Sequence, residues 1–256
     1  MPNNNSKTLY HYCSNTVLHS ILSNKEIWLS DLSQSNDYLE GKWFLEELRR
    51  YLKGNQSLSE RQKNLIKSVE NYAEQSHPLG FCMSTKGDLL SQWRGYADDG
   101  QGVSIGFDKC FFEHHEHGID LFEVNYDTGN ALQNLFAEQM FEGFMNSSND
   151  FVDNDFVYFA ALLSKRFRVK NPAFQEEQEW RFMRDISSSE PKLKVHATAD
   201  TLKPYIPISL LGYTQNPIRE VILGPKNKTK KTTLRYLLDV SGFNDADIQS
   251  SEASYQ

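Results

Sequence analysis

The chain has 256 residues, enough for one full core, with 39% hydrophobic and 24% charged residues, a composition ordinary for an ordered globular protein. A formal net charge of −7 argues against broad, salt-dependent binding to a phosphate backbone, and the only basic run is Lys226–Lys231. No apolar run is long enough to span a bilayer and the N-terminus lacks a secretory core, so a cytoplasmic protein with no membrane partner is expected.

The expected organisation is a flexible leader over 1–8, a single α+β domain over 9–250 and a tail over 251–256. Leu9–Tyr12 reads as a first strand, and Ser14 or Asn15 caps a helix carrying Val17, Leu18, Ile21 and Leu22. Ile27–Ser30 is a second strand. Asp37 with Glu40 has capping-box spacing ahead of a helix over Tyr38–Lys53, and Ser59–Gln75 is a further helix with Leu65, Ile66, Val69 and Tyr72 on one face.

Phe81–Met83 is a short buried strand that stops at Ser84 and Thr85. Asp88 caps a helix whose apolar stripe is Leu89, Trp93, Tyr96 and Ala97. Val103, Ile105 and Phe107 alternate with Ser104, Gly106 and Asp108 as in a half-buried strand. Leu121–Tyr126 is another strand, followed by helices over Asn130–Met145 and Asp150–Lys170. Strands follow at Gln178–Ile186, Leu193–Ala197, Tyr205–Leu210 and Ile218–Leu223, then a helix over Lys231–Ser241 and a strand over Asp247–Ser250. These elements make a mixed, mainly antiparallel sheet, split or continuous, with several inserted and flanking helices.

Few residues carry a chemical signal. Cys13, Cys82 and Cys110 are odd in number and lack C-x-x-C spacing, so they read as reduced core thiols and not as a disulfide framework or zinc site. His114, His115 and His117 have poor metal-ligand spacing and fit a solvated turn; no metal is expected. Gly100, Gly102 and Gly106 do not form a phosphate-binding fingerprint. Asp185 with Glu190 and Lys192 faintly echoes a nuclease pattern, which Pro191 interrupts.

His11, in a strand between Tyr10 and Tyr12, is a core histidine or a site residue. Ser84 and Thr85, hydroxyls at a strand end, serve a turn or a ligand. Glu177 and Glu179 are the sharper signal. On one strand they face the same side, and like charges so close raise one another's pKa; in a solvated loop they carry no such meaning.

The succession Y-H-Y-x-S, I-W-L-S-D, C-M-S-x-x-x-D, W-x-x-Y-A-D, G-x-S-I-G-F-D, E-x-E-W-R and V-I-L-G-P, from about Leu9 to Ser250, resembles a large bacterial family known only as a domain of unknown function. His11 in Y-H-Y, Ser84-Thr85 in M-S-T and Glu177-x-Glu179 also resemble, in that order, the ADP-ribosyltransferase superfamily. That second resemblance implies a split, mainly antiparallel sheet and NAD as a substrate. The activity implied is ADP-ribosyl transfer or NAD glycohydrolysis, in an intracellular toxin or defence effector, with a protein or nucleic acid as acceptor. Glu179 then stabilises the oxocarbenium-like centre through the ribose 2′-hydroxyl and Glu177 aids the acceptor. His11, Ser84 and Thr85 hydrogen-bond the ribose or carboxamide, and Tyr10, Tyr12, Trp93 or Tyr96 stack on a ring. The competing readings are a non-catalytic module recognising a nucleotide or partner protein, and a metal-dependent nuclease.

Overall fold

The computed structural model describes residues 8–34, 46, 49–50, 60–114, 118–127, 166–187, 190–198, 201–213 and 215–255. In chain order the principal elements are β1 (Thr8–Cys13), α1 (Asn15–Asn24), β2 (Glu26–Asp31), α2 (Glu60–Gln75), β3 (Ser76–Ser84), α3 (Leu90–Tyr96), β4 (Val103–Asp108) and α4 (Lys109–Glu113). They continue with β5 (Asp120–Glu123), a 3-10 turn (Pro172–Glu177), β6 (Glu179–Ser187), β7 (Lys194–Ala197), β8 (Leu202–Ser209), β9 (Ile218–Leu223), α5 (Lys231–Ser241) and β10 (Asp247–Ser250).

Ten strands form one open, mixed sheet in which only the β9–β10 pair is parallel among the described residues. Its centre is β3, which pairs antiparallel with β6 along all nine residues, Ser76 opposite Ser187 and Ser84 opposite Glu179. The other edge of β3 is shared. Leu79 and Gly80 pair with Asp31 and Ser30 of β2, whereas Ser84 pairs with Tyr10 of β1. The sheet therefore forks: β1, β4, β9 and β10 extend one arm, and β2, β8 and β7 the other.

At the fork Phe81–Met83 have no described strand along that edge, so the Cys82 carbonyl needs another donor. His11 provides it, its Nδ1 lying 2.8 Å from Cys82 O while its ring stacks on Phe81 with centroids 4.1 Å apart.

Local sequence explains most boundaries. Ser14 Oγ accepts from Val17 N to start α1, and Lys25 in the left-handed region (φ 54°) ends it, with Leu18, Ile21 and Leu22 turned into the core. Gly242 (φ 84°) ends α5 by donating its N–H to the Leu238 and Asp239 carbonyls. Gly102 is required because a β-carbon there would run into the Cys13 carbonyl, a backbone atom that cannot yield. Phe81, Phe107, Phe112 and Phe182 pack edge and face at the centre of a core that also takes in Leu9, Ile27 and Val221.

Four expectations need correction. The strand around Phe81–Met83 is longer, beginning at Ser76, because pairing with β6 carries Pro78 and Gly80 into the sheet. Strand β4 is buried on both faces, with Ser104, Gly106 and Asp108 covered as well as Val103, Ile105 and Phe107. Asp88 does not cap α3; its carboxylate takes bonds from Trp93 Nε1, Ser251 Oγ and Glu252 N. Residues Arg166–Lys170 are not the end of a helix: Val169 bridges Asn125, and Lys170 N donates to Asn125 O. The placement of Glu177, left open by the sequence, is outside the strand: it closes the preceding 3-10 turn, and β6 starts at Glu179. The capping box at Asp37, the helix over Tyr38–Lys53, the helix over Asn130–Met145 and most of that over Asp150–Lys170 lie outside the described residues.

Candidate functional site

A cleft opens where the fork meets the β3–β6 ladder. Its lining includes Tyr10, His11 and Tyr12 from β1, Gln92 and Tyr96 from α3, and Lys170, Glu177 and Glu179 from the chain entering β6. It encloses about 80 Å3, below the ~300–1,000 Å3 of pockets that swallow a drug-sized ligand. It holds one small group.

The floor is a charged tetrad. The 3-10 turn ends at Glu177, Gln178 turns left-handed (φ 44°), and Glu179 opens β6. That turn brings both carboxylates to one ammonium, with Lys170 Nζ 2.7 Å from Glu177 Oε2 and 3.1 Å from Glu179 Oε2. Arg181, one residue pair along β6, grips Glu179 at both oxygens, Nε to Oε1 at 2.8 Å and Nη2 to Oε2 at 2.9 Å, and gives Nη1 to the Phe167 carbonyl. All four side chains are buried, and their formal charges cancel.

Burial alone pushes the Glu179 carboxyl up, but the Arg181 guanidinium and Lys170 ammonium outweigh it and hold the group down at about 2. Glu177 moves the other way. Burial, reinforced by the Glu179 charge, raises it despite the attraction of Lys170. Burial would lower the Lys170 ammonium, yet the two glutamates raise it, so it stays charged. Glu179 is thus held ionised with Lys170 and Arg181 donating to its two oxygens, while Glu177 keeps Oε1 for only a long 3.3 Å bond from the Tyr96 hydroxyl.

Ser84 and Thr85 brace this turn from β3. Ser84 Oγ donates to Glu177 O at 2.6 Å, and Thr85 bonds Gln178 through both its backbone N–H and its hydroxyl. Neither lines the cleft, so hydroxyls at the strand end position the glutamates from behind. Trp93 is fully buried, with its indole N–H on Asp88, and presents no face to the cleft. His11, Glu177 and Glu179 do converge there, although His11 lies more than 160 positions from the glutamates in the chain.

Among the tyrosines, Tyr10 is tied to Glu220 and Tyr12 to the Lys86 carbonyl and Leu89 N–H, which fixes the wall. Burial raises all three phenols, so they remain protonated. Burial lowers the His11 imidazole to about 4 against the smaller opposing effect of its Cys82 bond, so it is neutral near pH 7. Because a carbonyl can only accept, the proton of the neutral ring sits on Nδ1 and Nε2 is an acceptor.

Sequence reasoning missed Lys170, Arg181 and Gln92. A signal existed for Lys170: Arg166, Arg168 and Lys170 alternate with Phe167 and Val169 at the period of an extended chain. Gln92 left none. Among the described residues no group of three His, Cys, Asp or Glu side chains is placed to hold a metal ion, and no helix is long and apolar enough to cross a membrane.

Residues 92–182 match the family model described as Protein of unknown function (DUF2971). The match begins at Gln92 and runs into β6, so it contains Tyr96 and the whole tetrad but not the β1 wall, and it is shorter than the span of motifs read from the sequence. No curated protein and no solved structure matches the chain.

Proposed function

We propose that this cleft binds the nicotinamide-ribose end of NAD and cleaves the bond between them, transferring ADP-ribose to water or to a nucleophile on a protein or nucleic acid. The observation that carries the reading is the convergence of His11, Glu177, Glu179 and three tyrosines on one small cleft. In the reaction the C1′–nitrogen bond breaks with its electron pair going to nicotinamide, which leaves neutral. Positive charge builds at C1′ and the ring oxygen, and an acceptor attacks C1′ and gives up a proton.

Glu177 is the better-placed carboxylate for that charge, because its Oε1 is nearly free whereas Arg181 and Lys170 occupy Glu179. Its carboxyl, raised by burial, is also a stronger base for the acceptor's proton than an ordinary carboxylate. Glu179 acts through Lys170, holding the ammonium beside Glu177. The small volume accommodates one ring, with the adenosine half over the cleft mouth.

The test is calorimetry of NAD with wild type, Glu177→Gln and Glu179→Gln, with nicotinamide release followed on the same samples. Release by wild type and binding without release by Glu177→Gln is the expected result. Absence of both binding and release in the wild type removes the proposal. A second reading, a non-catalytic recognition module, draws on the saturation of Glu179 by its own neighbours. A ligand that binds and is returned unchanged favours it.

A further inference from the structure

The tetrad leaves few polar atoms wanting partners, but the wall of the cleft differs. Gln92 is only 9% exposed and lines the cleft from α3, yet no described residue hydrogen-bonds its side-chain amide. A buried amide without partners costs free energy that packing does not return. Gln92 lines the cleft, so its unbonded amide is within reach of a group bound there. The same holds for His11 Nε2, an acceptor with no described partner.

We infer that Gln92 reads the edge of a neutral planar ring carrying an N–H donor beside an acceptor, with His11 Nε2 accepting a further N–H. A glutamine amide offers one donor and one acceptor side by side and pairs two-fold with such an edge. A carboxamide fits: its carbonyl accepts from Gln92 Nε2 and its NH2 donates to Gln92 Oε1. The corresponding carboxylate fits badly, since it has no N–H to give and its charge meets the lone pair of His11 and the Glu177 carboxylate. Adenine presents the same pairing chemistry through its amino group and N7; 9-methylpurine, which lacks the amino group and has no N–H to donate, does not.

The inference rests on the reading of the cleft as a nicotinamide or nucleotide site and adds the residue that selects the ring. Its test is calorimetric titration of wild type, Gln92→Leu and Gln92→Glu with nicotinamide, nicotinate, 9-methyladenine and 9-methylpurine, checking the fold of each variant by circular dichroism. Expected is binding of nicotinamide about tenfold or more tighter than nicotinate, with nicotinamide binding weakened and that preference narrowed in Gln92→Leu, where His11 and Glu177 still disfavour the carboxylate. Preference for 9-methyladenine over 9-methylpurine, equally dependent on Gln92, supports the inference and assigns the ring to the adenine end. Binding of all four probes alike by wild type and Gln92→Leu overturns it, as does binding of none. The NAD reading is scored separately: nicotinamide release with unchanged KM in Gln92→Leu sinks the role of Gln92 and leaves the reaction standing. A wild type that discriminates the free rings but neither binds nor cleaves NAD does the reverse.

Discussion

The floor and the wall of the cleft solve the problem of buried polarity in opposite ways. On the floor Lys170, Glu177, Glu179 and Arg181 answer one another, so the interior holds four charges at zero net charge. On the wall Gln92 and His11 Nε2 keep polar atoms without described partners. A saturated floor is what rigid positioning needs; an unsaturated wall needs something from outside. The difference separates residues that build the site from those that meet a ligand, and it divides even the two glutamates, Glu179 belonging to the floor and Glu177 standing between floor and wall.

The largest expected effect comes from breaking the floor. Arg181→Met takes the two-point partner from the buried Glu179 carboxylate and leaves one ammonium between two glutamates, and urea denaturation is expected to record a loss of about 3–5 kcal/mol. A loss no greater than that of a surface substitution would mean that the tetrad is not closed.

The acid dependence sharpens the contrast between the glutamates. Glu179 is held below its ordinary value of 4.5, at about 2, so its contribution is present above 4.5 and fades as pH falls through 2. Glu179→Gln is therefore expected to be less stable than wild type at pH 7, with the gap closing toward pH 2. Glu177 is raised, so its sign is reversed: its contribution is complete below 4.5 and declines as pH rises through the folded value. Denaturation midpoints of Glu177→Gln should accordingly compare better with wild type at pH 7 than at pH 4.

Next in size is Trp93→Phe, which removes a buried indole N–H from the exposed Asp88 carboxylate and is expected to cost about 1 kcal/mol in thermal or urea unfolding. Smallest is Tyr255→Phe. Its hydroxyl reaches the exposed Asp99, beside Lys226, and no resolvable change in the unfolding midpoint is expected.

Much of the fold was legible because alternation and capping carry local information. The strand around His11, the Ser14 cap, and the elements Ile218–Leu223, Lys231–Ser241 and Asp247–Ser250 follow from period-two or helical patterns and their turn residues. The start of β3 was not legible, since Ser76, Pro78 and Gly80 have turn composition and become strand only through nine residues of pairing with β6. The site was half legible. Tyrosines, His11 and two glutamates stand out by type, but whether Glu177 shares a strand with Glu179 depends on a left-handed Gln178 held by Thr85, a long-range contact. Lys170 was hidden by an expected helix, and Gln92 is a polar residue beside Trp93 whose meaning exists only once β1 and β6 stand opposite α3.

The most direct test of the cleft as the ligand site is nitrogen-15 spectroscopy of histidine-labelled protein during titration with NAD. The chain has seven histidines, and His11 is expected to give the signature of a neutral ring protonated at Nδ1. NAD should move its Nε2 resonance and leave the Nδ1–H bond to Cys82 in place. An unmoved His11 at NAD saturation, or shifts confined to other histidines, would contradict the account.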